Sequence, residues 1–269
     1  MNRINTTLTQ LKEKKRKALV TYIVCGDPDP QMTVSIMHQL VEAGADIIEL
    51  GVPFSDPMAE GPIIQKGHER ALEHKVSLSS CMNTVAEFRQ RDTSTPVVLM
   101  GYANPVERMG YSAFAQKAAA AGVDGLLTVD LPPEEGSELD VQLREAGLEN
   151  IFLVAPTTSA VRTKEICEAA RGFVYYVSVK GVTGASHLDV ANVQQQVAGI
   201  RAVAHTPVLV GFGIKDAESA KSVGAVSDGV VVGSALVNIM AENAADAEAI
   251  GSKLQALVSS MRNALDELV

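Results

Sequence analysis

Eight short apolar runs recur along this chain, and none of them alternates with polar residues. They span residues 18–24, 46–50, 96–101, 125–129, 150–154, 173–178, 207–211 and 229–232. Rich in Val, Ile and Leu, they read as parallel strands buried on both faces. Between them lie stretches with helical spacing, among them 32–43, 79–89, 113–121, 134–146, 160–170, 190–204 and 216–223. Gly44, Gly122 and Gly147 each fall just past a helix end, where glycine accepts the left-handed capping conformation.

Eight β/α units in 269 residues match the size and rhythm of an α/β (β/α)8 TIM barrel. A doubly wound open sheet is the alternative. The count of eight favours the barrel, as does the lack of GxGxxG after the first strand. A helix over 5–15 then covers the barrel bottom, and 244–268 supplies the closing helix or helices. The reading is one domain over 1–269, without a linker or a fixed-period repeat.

Composition narrows the function. The hydrophobic fraction is 46%, enough for a large core, but aromatics make up only 4% and Trp is absent. A net charge of −9 argues against a general nucleic-acid binder. The basic run KEKKRK at 12–17 reads as a solvated helix face. The first twenty residues hold no continuous apolar segment, so neither a signal peptide nor a membrane span is expected. Cys25, Cys81 and Cys167 are an odd, widely spaced set with no CxxC, as in a reducing cytoplasm. Cys25 falls near a strand end without a candidate base close in sequence, and is read as packing.

A TIM barrel builds its active site at the C-terminal strand ends. Tyr22, Glu49, Met100, Thr128 to Asp130, Tyr175, Gly211 to Gly213 and Gly233–Ser234 fall there. Such a lining suits a ligand with a flat apolar part and an anionic tail. Glycine clusters at 180–186, 211–215 and 231–235 follow strands six, seven and eight, where backbone N–H groups can hold a phosphate. Glu49 stands inside an apolar run, and burying a carboxylate is costly unless it is protonated, paired or used. No basic residue follows before Lys66, so an ion pair has no local source. Glu60, in the next loop, is a second carboxylate that can share acid and base roles. Tyr175 is open between core filler and ligand contact. Asp130 reads as a cap for the fourth loop, and His187 as exposed.

Six segments carry a resemblance that covers the whole chain. They are ELGVPFSDPMAEGPIIQ at 49–65, MGYANPVERMG at 100–110, DLPPEE at 130–135, LVAPTTS at 153–159, FVYYVSVKGVTGA at 173–185 and GFGI at 211–214. The chain resembles the tryptophan synthase alpha subunit family. That resemblance implies retro-aldol cleavage of indole-3-glycerol phosphate to indole and glyceraldehyde 3-phosphate. For Glu49 it implies protonation of indole C3 and help in removing the glycerol hydroxyl proton. For Glu60 it implies a hydrogen bond from the indole N–H. Tyr22, Ile64, Met100, Leu127, Tyr175, Thr183 and Phe212 are implied substrate contacts, and Gly184, Gly213, Gly233 and Ser234 phosphate contacts. The resemblance also implies that Pro53, Asp56, Pro57 and Asn104 face a beta subunit in an α2β2 complex. It implies a partner that uses pyridoxal phosphate to join indole to serine, and no cofactor or metal on this chain.

The loops 53–60 and 179–189 resemble the family's lids. The chain departs from the usual pattern at three positions: Asp is usual at 60, Phe at 22 and Leu at 100. Another phosphate-binding barrel enzyme, or a non-catalytic ligand-binding subunit that activates a partner, are the alternatives.

Overall fold

The eight strands close on themselves. The computed structural model describes residues 2–178, 189–211 and 213–268. Its strands are β1 Ala18–Val24, β2 Ile47–Gly51, β3 Val97–Gly101, β4 Gly125–Thr128, β5 Glu149–Val154, β6 Val174–Val177, β7 Val208–Gly211 and β8 Gly229–Val232. They form a closed parallel barrel in sequence order, sealed by β1 on β8. Each matches an apolar run to within a residue or two.

Helices enclose the strands. In chain order they are α1 Arg3–Glu13, α2 Thr33–Glu42, α3 Pro62–Glu73, α4 Leu78–Phe88, α5 Ala103–Met109, α6 Tyr111–Ala121, α7 Ser137–Glu145, α8 Ala160–Ala169, α9 Val190–Arg201, α10 Ala217–Val226, α11 Ser234–Glu242 and α12 Ala247–Asp266. Three of them, α3, α5 and α11, lie in stretches that the sequence pattern did not single out. All three begin at the C-terminal mouth of the barrel.

Inward side chains fill the barrel interior: Val20, Ile47, Val98, Leu127, Ile151, Phe173, Leu209 and Val231, one from each strand or its edge. Ile4, Leu8 and Leu11 of α1 join that cluster and close the bottom. Asn2 secures the plug by donating to the carbonyls of Asp124 and Gly147, both at 2.8 Å. Side chains on a strand alternate with period two, so the next inward layer begins two residues later. That layer includes Tyr22, Glu49, Met100, Val129, Leu153 and Tyr175, and it faces the mouth.

The strand starts share a device. Asp46, Asp124 and Asp228 accept the N–H of Leu19, Val97 and Val208 at 2.8, 2.9 and 2.8 Å. Each also binds an arginine: Arg262, Arg89 and Arg201 respectively. This is why Asp46, expected to open β2, instead bridges β1 to α12. Part of the basic run is structural as well. Arg16 pairs with Asp266 at 3.0 Å, and the Lys17 ammonium donates to the Ser227 carbonyl at 2.8 Å.

Candidate active site

A cavity of about 310 Å³ opens at the C-terminal end of the barrel. Tyr22, Glu49, Met100, Val129, Leu153 and Tyr175 form its floor and walls. Ala59 to Ile64 cover one side, and Gly213, Ile214, Gly233 and Ser234 line another. Among the described residues no Lys, Arg or His lines it.

Glu49 is the sharpest feature. It is 1% exposed, and neither carboxylate oxygen has a hydrogen-bond partner among the described residues. Burial, with the nearby charge of Glu60 adding, pushes its pKa up to about 8. A carboxyl in that state carries a proton at neutral pH and has no structural bond to give up, so it is poised to donate.

Glu60 is not a solvated loop acid. It is 5% exposed and accepts a hydrogen bond from the Tyr102 hydroxyl. Burial raises its pKa, and the Tyr102 bond opposes that rise. The same hydroxyl accepts the Ala59 N–H at 3.1 Å, and the Phe54 ring stacks on the Tyr102 ring at 4.8 Å. The longer Glu side chain therefore reaches a partner across the loop on the residue after β3.

Two tyrosines frame the floor in equivalent ways. Tyr22 on β1 leans over Gly51 of β2, where a Cβ would lie 2.4 Å from its hydroxyl. Tyr175 on β6 leans over Gly211 of β7, where a Cβ would lie 2.0 Å from its hydroxyl. Each glycine makes room for the ring of the preceding strand. Tyr22 is also the direct cross-strand partner of Glu49.

A glycine-rich wall lies across β1 from Glu49. Gly213 sits at φ +78, a left-handed conformation that strains any residue with a Cβ. Gly233 precedes α11, whose first amides have no partner within the helix and face an incoming ligand. Because β8 and β2 both flank β1, a ligand can bridge Ser234 and Glu49 along the Tyr22 wall.

Several expected positions fall elsewhere. Leu127 belongs to the filled layer beneath the cavity and does not line it, because the inward residue at the mouth of β4 is Val129, two positions on. Pro53 is buried in the chain's own packing, so it is not a surface contact, whereas Asp56 and Asn104 are exposed and Pro57 is half-buried. Asp130 accepts the Ala103 N–H at 2.8 Å, tying the loop after β4 to the start of α5. Thr183, Gly184, His187 and Phe212 lie outside the described residues, as does the expected lid 179–189 apart from Asp189. Tyr102 and His68 had been given no role. Tyr102 is two residues beyond inward-facing Met100, and His68 is four beyond cavity-lining Ile64 on α3, so strand and helix periods could have flagged both.

Known proteins share this architecture. A profile described as tryptophan synthase alpha chain matches residues 8–266. The tryptophan synthase alpha chain of Thioalkalivibrio sulfidiphilus is 58% identical over 266 residues, covering 99% of this chain and 100% of that one. That of Marinobacter nauticus is 57% identical over 268 residues, covering 100% and 99%. The crystal structure of tryptophan synthase subunit alpha from Legionella pneumophila superposes with a TM-score of 0.92 at 47% identity, covering 99% of each chain. A Mycobacterium tuberculosis tryptophan synthase structure, in an aminoacrylate-bound form, gives 0.87 at 35%, covering 98% of this chain and 100% of that one. The profile match over residues 8–266 and relatives 58% and 57% identical over nearly the full length, on a barrel with a buried, unpaired Glu49, place this chain in the tryptophan synthase alpha chain family.

Proposed function

We propose that Glu49 and Glu60 divide the proton work of the family's reaction. The chain is a lyase of tryptophan biosynthesis, cleaving indole-3-glycerol phosphate to indole and glyceraldehyde 3-phosphate. In that step the bond between indole C3 and the glycerol carbon breaks. C3 gains a proton, and the adjacent glycerol hydroxyl loses one as the aldehyde forms. The observation that carries the assignment is the unpaired, buried, protonated Glu49 on the cavity floor. Its proton goes to C3, and the carboxylate left behind draws off the hydroxyl proton, so Glu49 returns to its starting state. Glu60, held by Tyr102, accepts the indole N–H as positive charge grows on the ring. Tyr22, Met100, Val129, Leu153 and Tyr175 form the apolar wall for the indole, and Gly213, Gly233 and Ser234 take the phosphate.

Alpha chains are not themselves cofactor-dependent, and their name implies a beta partner. We assign pyridoxal phosphate to that subunit and an α2β2 assembly to the pair. Asp56, Pro57 and Asn104, with Met58 at 79% exposure beside them, are the surface we give to the partner. We also assign the chain to the cytoplasm, as one domain; its three cysteines are buried and unbridged, as a reducing compartment allows. Among the described residues no helix is long and apolar enough to cross a membrane.

The deciding experiment is indole release from indole-3-glycerol phosphate by the purified chain, with and without a beta subunit. Slow turnover alone, faster turnover in the complex, and near-total loss in Glu49→Gln are expected. Substantial activity in Glu49→Gln would falsify the assignment.

A further inference from the structure

The two carboxylates of the cavity stand on different elements, and one buried histidine connects the walls that hold them. His68 lies on α3 and is 1% exposed, yet it does not line the cavity. Its Nδ1 accepts the Phe54 backbone N–H at 3.0 Å. Burial depresses its pKa to about 4, so the ring is neutral, and the Phe54 bond fixes the Nε2–H tautomer. Nε2–H then donates to the Tyr22 hydroxyl at 3.3 Å. Tyr22 is the cross-strand neighbour of Glu49. On the other side, the Phe54 ring stacks on Tyr102, which holds Glu60. A single line of contacts runs from Tyr22 through His68, Phe54 and Tyr102 to Glu60.

We propose that His68 is a positioning residue for the lyase reaction, setting through Phe54 and Tyr102 where Glu60 stands relative to Glu49. The proposal rests on the reading of Glu60 as the carboxylate that meets the indole nitrogen. Phe54 belongs to the loop 53–60, between β2 and α3, and its amide is anchored to a helix side chain. Without that anchor the stacked pair and the carboxylate behind it are free to shift. Displacing a reacting or charge-stabilising group by about 1 Å costs up to roughly 10²-fold in rate.

The test compares indole release by the full-length parent, His68→Ala, His68→Asn, Glu60→Ala and the His68→Ala/Glu60→Ala double variant. The Asn side-chain oxygen stands near the place of Nδ1 and keeps the acceptor for Phe54. His68→Ala is expected to lower kcat about tenfold with little change in KM, and His68→Asn to recover most of it. In the Glu60→Ala background His68→Ala should cost less than about twofold more, because its route to the chemistry is already cut. Multiplying losses in the double variant, or His68→Asn as slow as His68→Ala, would overturn the proposal. A parental rate in Glu60→Ala would instead sink the reading of Glu60, and the route through it. If His68→Ala does not fold, His68→Gln makes the same comparison: it keeps a donor toward Tyr22 and withdraws the acceptor from Phe54.

Discussion

The Tyr102 hydroxyl donates to the Glu60 carboxylate, and both side chains are buried. The bond ties the loop after β2 to the residue that follows β3. It also fixes a carboxylate on a loop that otherwise exposes Asp56 and Met58. Tyr102→Phe keeps the ring stacked on Phe54 and removes only the hydroxyl. It leaves Glu60 without its donor and the Ala59 N–H without its acceptor. We expect kcat for indole release to fall about tenfold and stability to fall by about 1–3 kcal/mol, read by steady-state kinetics and urea unfolding. An unchanged kcat would separate Glu60 from the chemistry.

Glu49→Gln should trade activity for stability. Removing the proton donor is expected to cost on the order of 10³-fold in kcat. The stability effect follows from linkage. The Glu49 pKa rises from 4.5 to about 8 on folding. Below pH 4.5 both states hold the proton. Between 4.5 and 8 the unfolded chain has lost it and the folded chain keeps it, so rising pH erodes the parent's stability. The Gln variant lacks that loss. Its stability should match the parent's near pH 4.5 and exceed it above pH 8 by on the order of a few kcal/mol, read as a higher thermal midpoint there.

The same shift predicts a limb in the rate profile. If Glu49 must carry the proton that reaches C3, kcat/KM falls as pH rises through about 8. The limb should lie near that value in the free enzyme because kcat/KM reports its groups before substrate binds. A profile flat to about pH 9.5 would assign the proton to another group.

Gly51→Ala tests the slot beneath Tyr22. The new Cβ would lie 2.4 Å from the Tyr22 hydroxyl oxygen and 2.8 Å from ring carbon Cζ. Overpacking of this kind costs about 1–3 kcal/mol. Tyr22 must swing away from its place beside Glu49, so KM should rise with the loss of stability. A second change distinguishes the cause. Tyr22→Phe in the Gly51→Ala background should restore only part of the stability, since Cζ remains, whereas Tyr22→Leu should restore most of it. Thermal unfolding of the two double variants decides this.

Much of this arrangement was legible in order along the chain. Strand positions were readable because parallel strands buried on both faces need unbroken apolar runs, whatever their neighbours. Glu49 stood out for the same reason, as a charge within such a run. The glycines at the mouths of β7 and β8 were visible because close backbone approach excludes a Cβ. Less visible were α3, α5 and α11, which start at the site itself. The period of β3 and α3 could place Tyr102 and His68 near the site, but their partners, 42 and 46 residues away, were hidden because separation in sequence gives no sign of contact in space. Leu127 points inward but does not line the cavity, since strand parity gives the face a side chain points to and not its distance from the mouth.

The sequence alone determined the eight-unit rhythm, the buried acid, the glycine clusters after β7 and β8 and, through its motifs, the family. Those features depend on local chemistry: which residues can be buried, which backbone angles are allowed, which groups can carry a proton. Only the closed barrel decided that β8, β1 and β2 stand side by side, so that Ser234, Tyr22 and Glu49 border one cavity. It also buried Glu60 against Tyr102 and raised Glu49 to about pH 8, because the removal of water that shifts a carboxylate comes from walls contributed by distant parts of the chain.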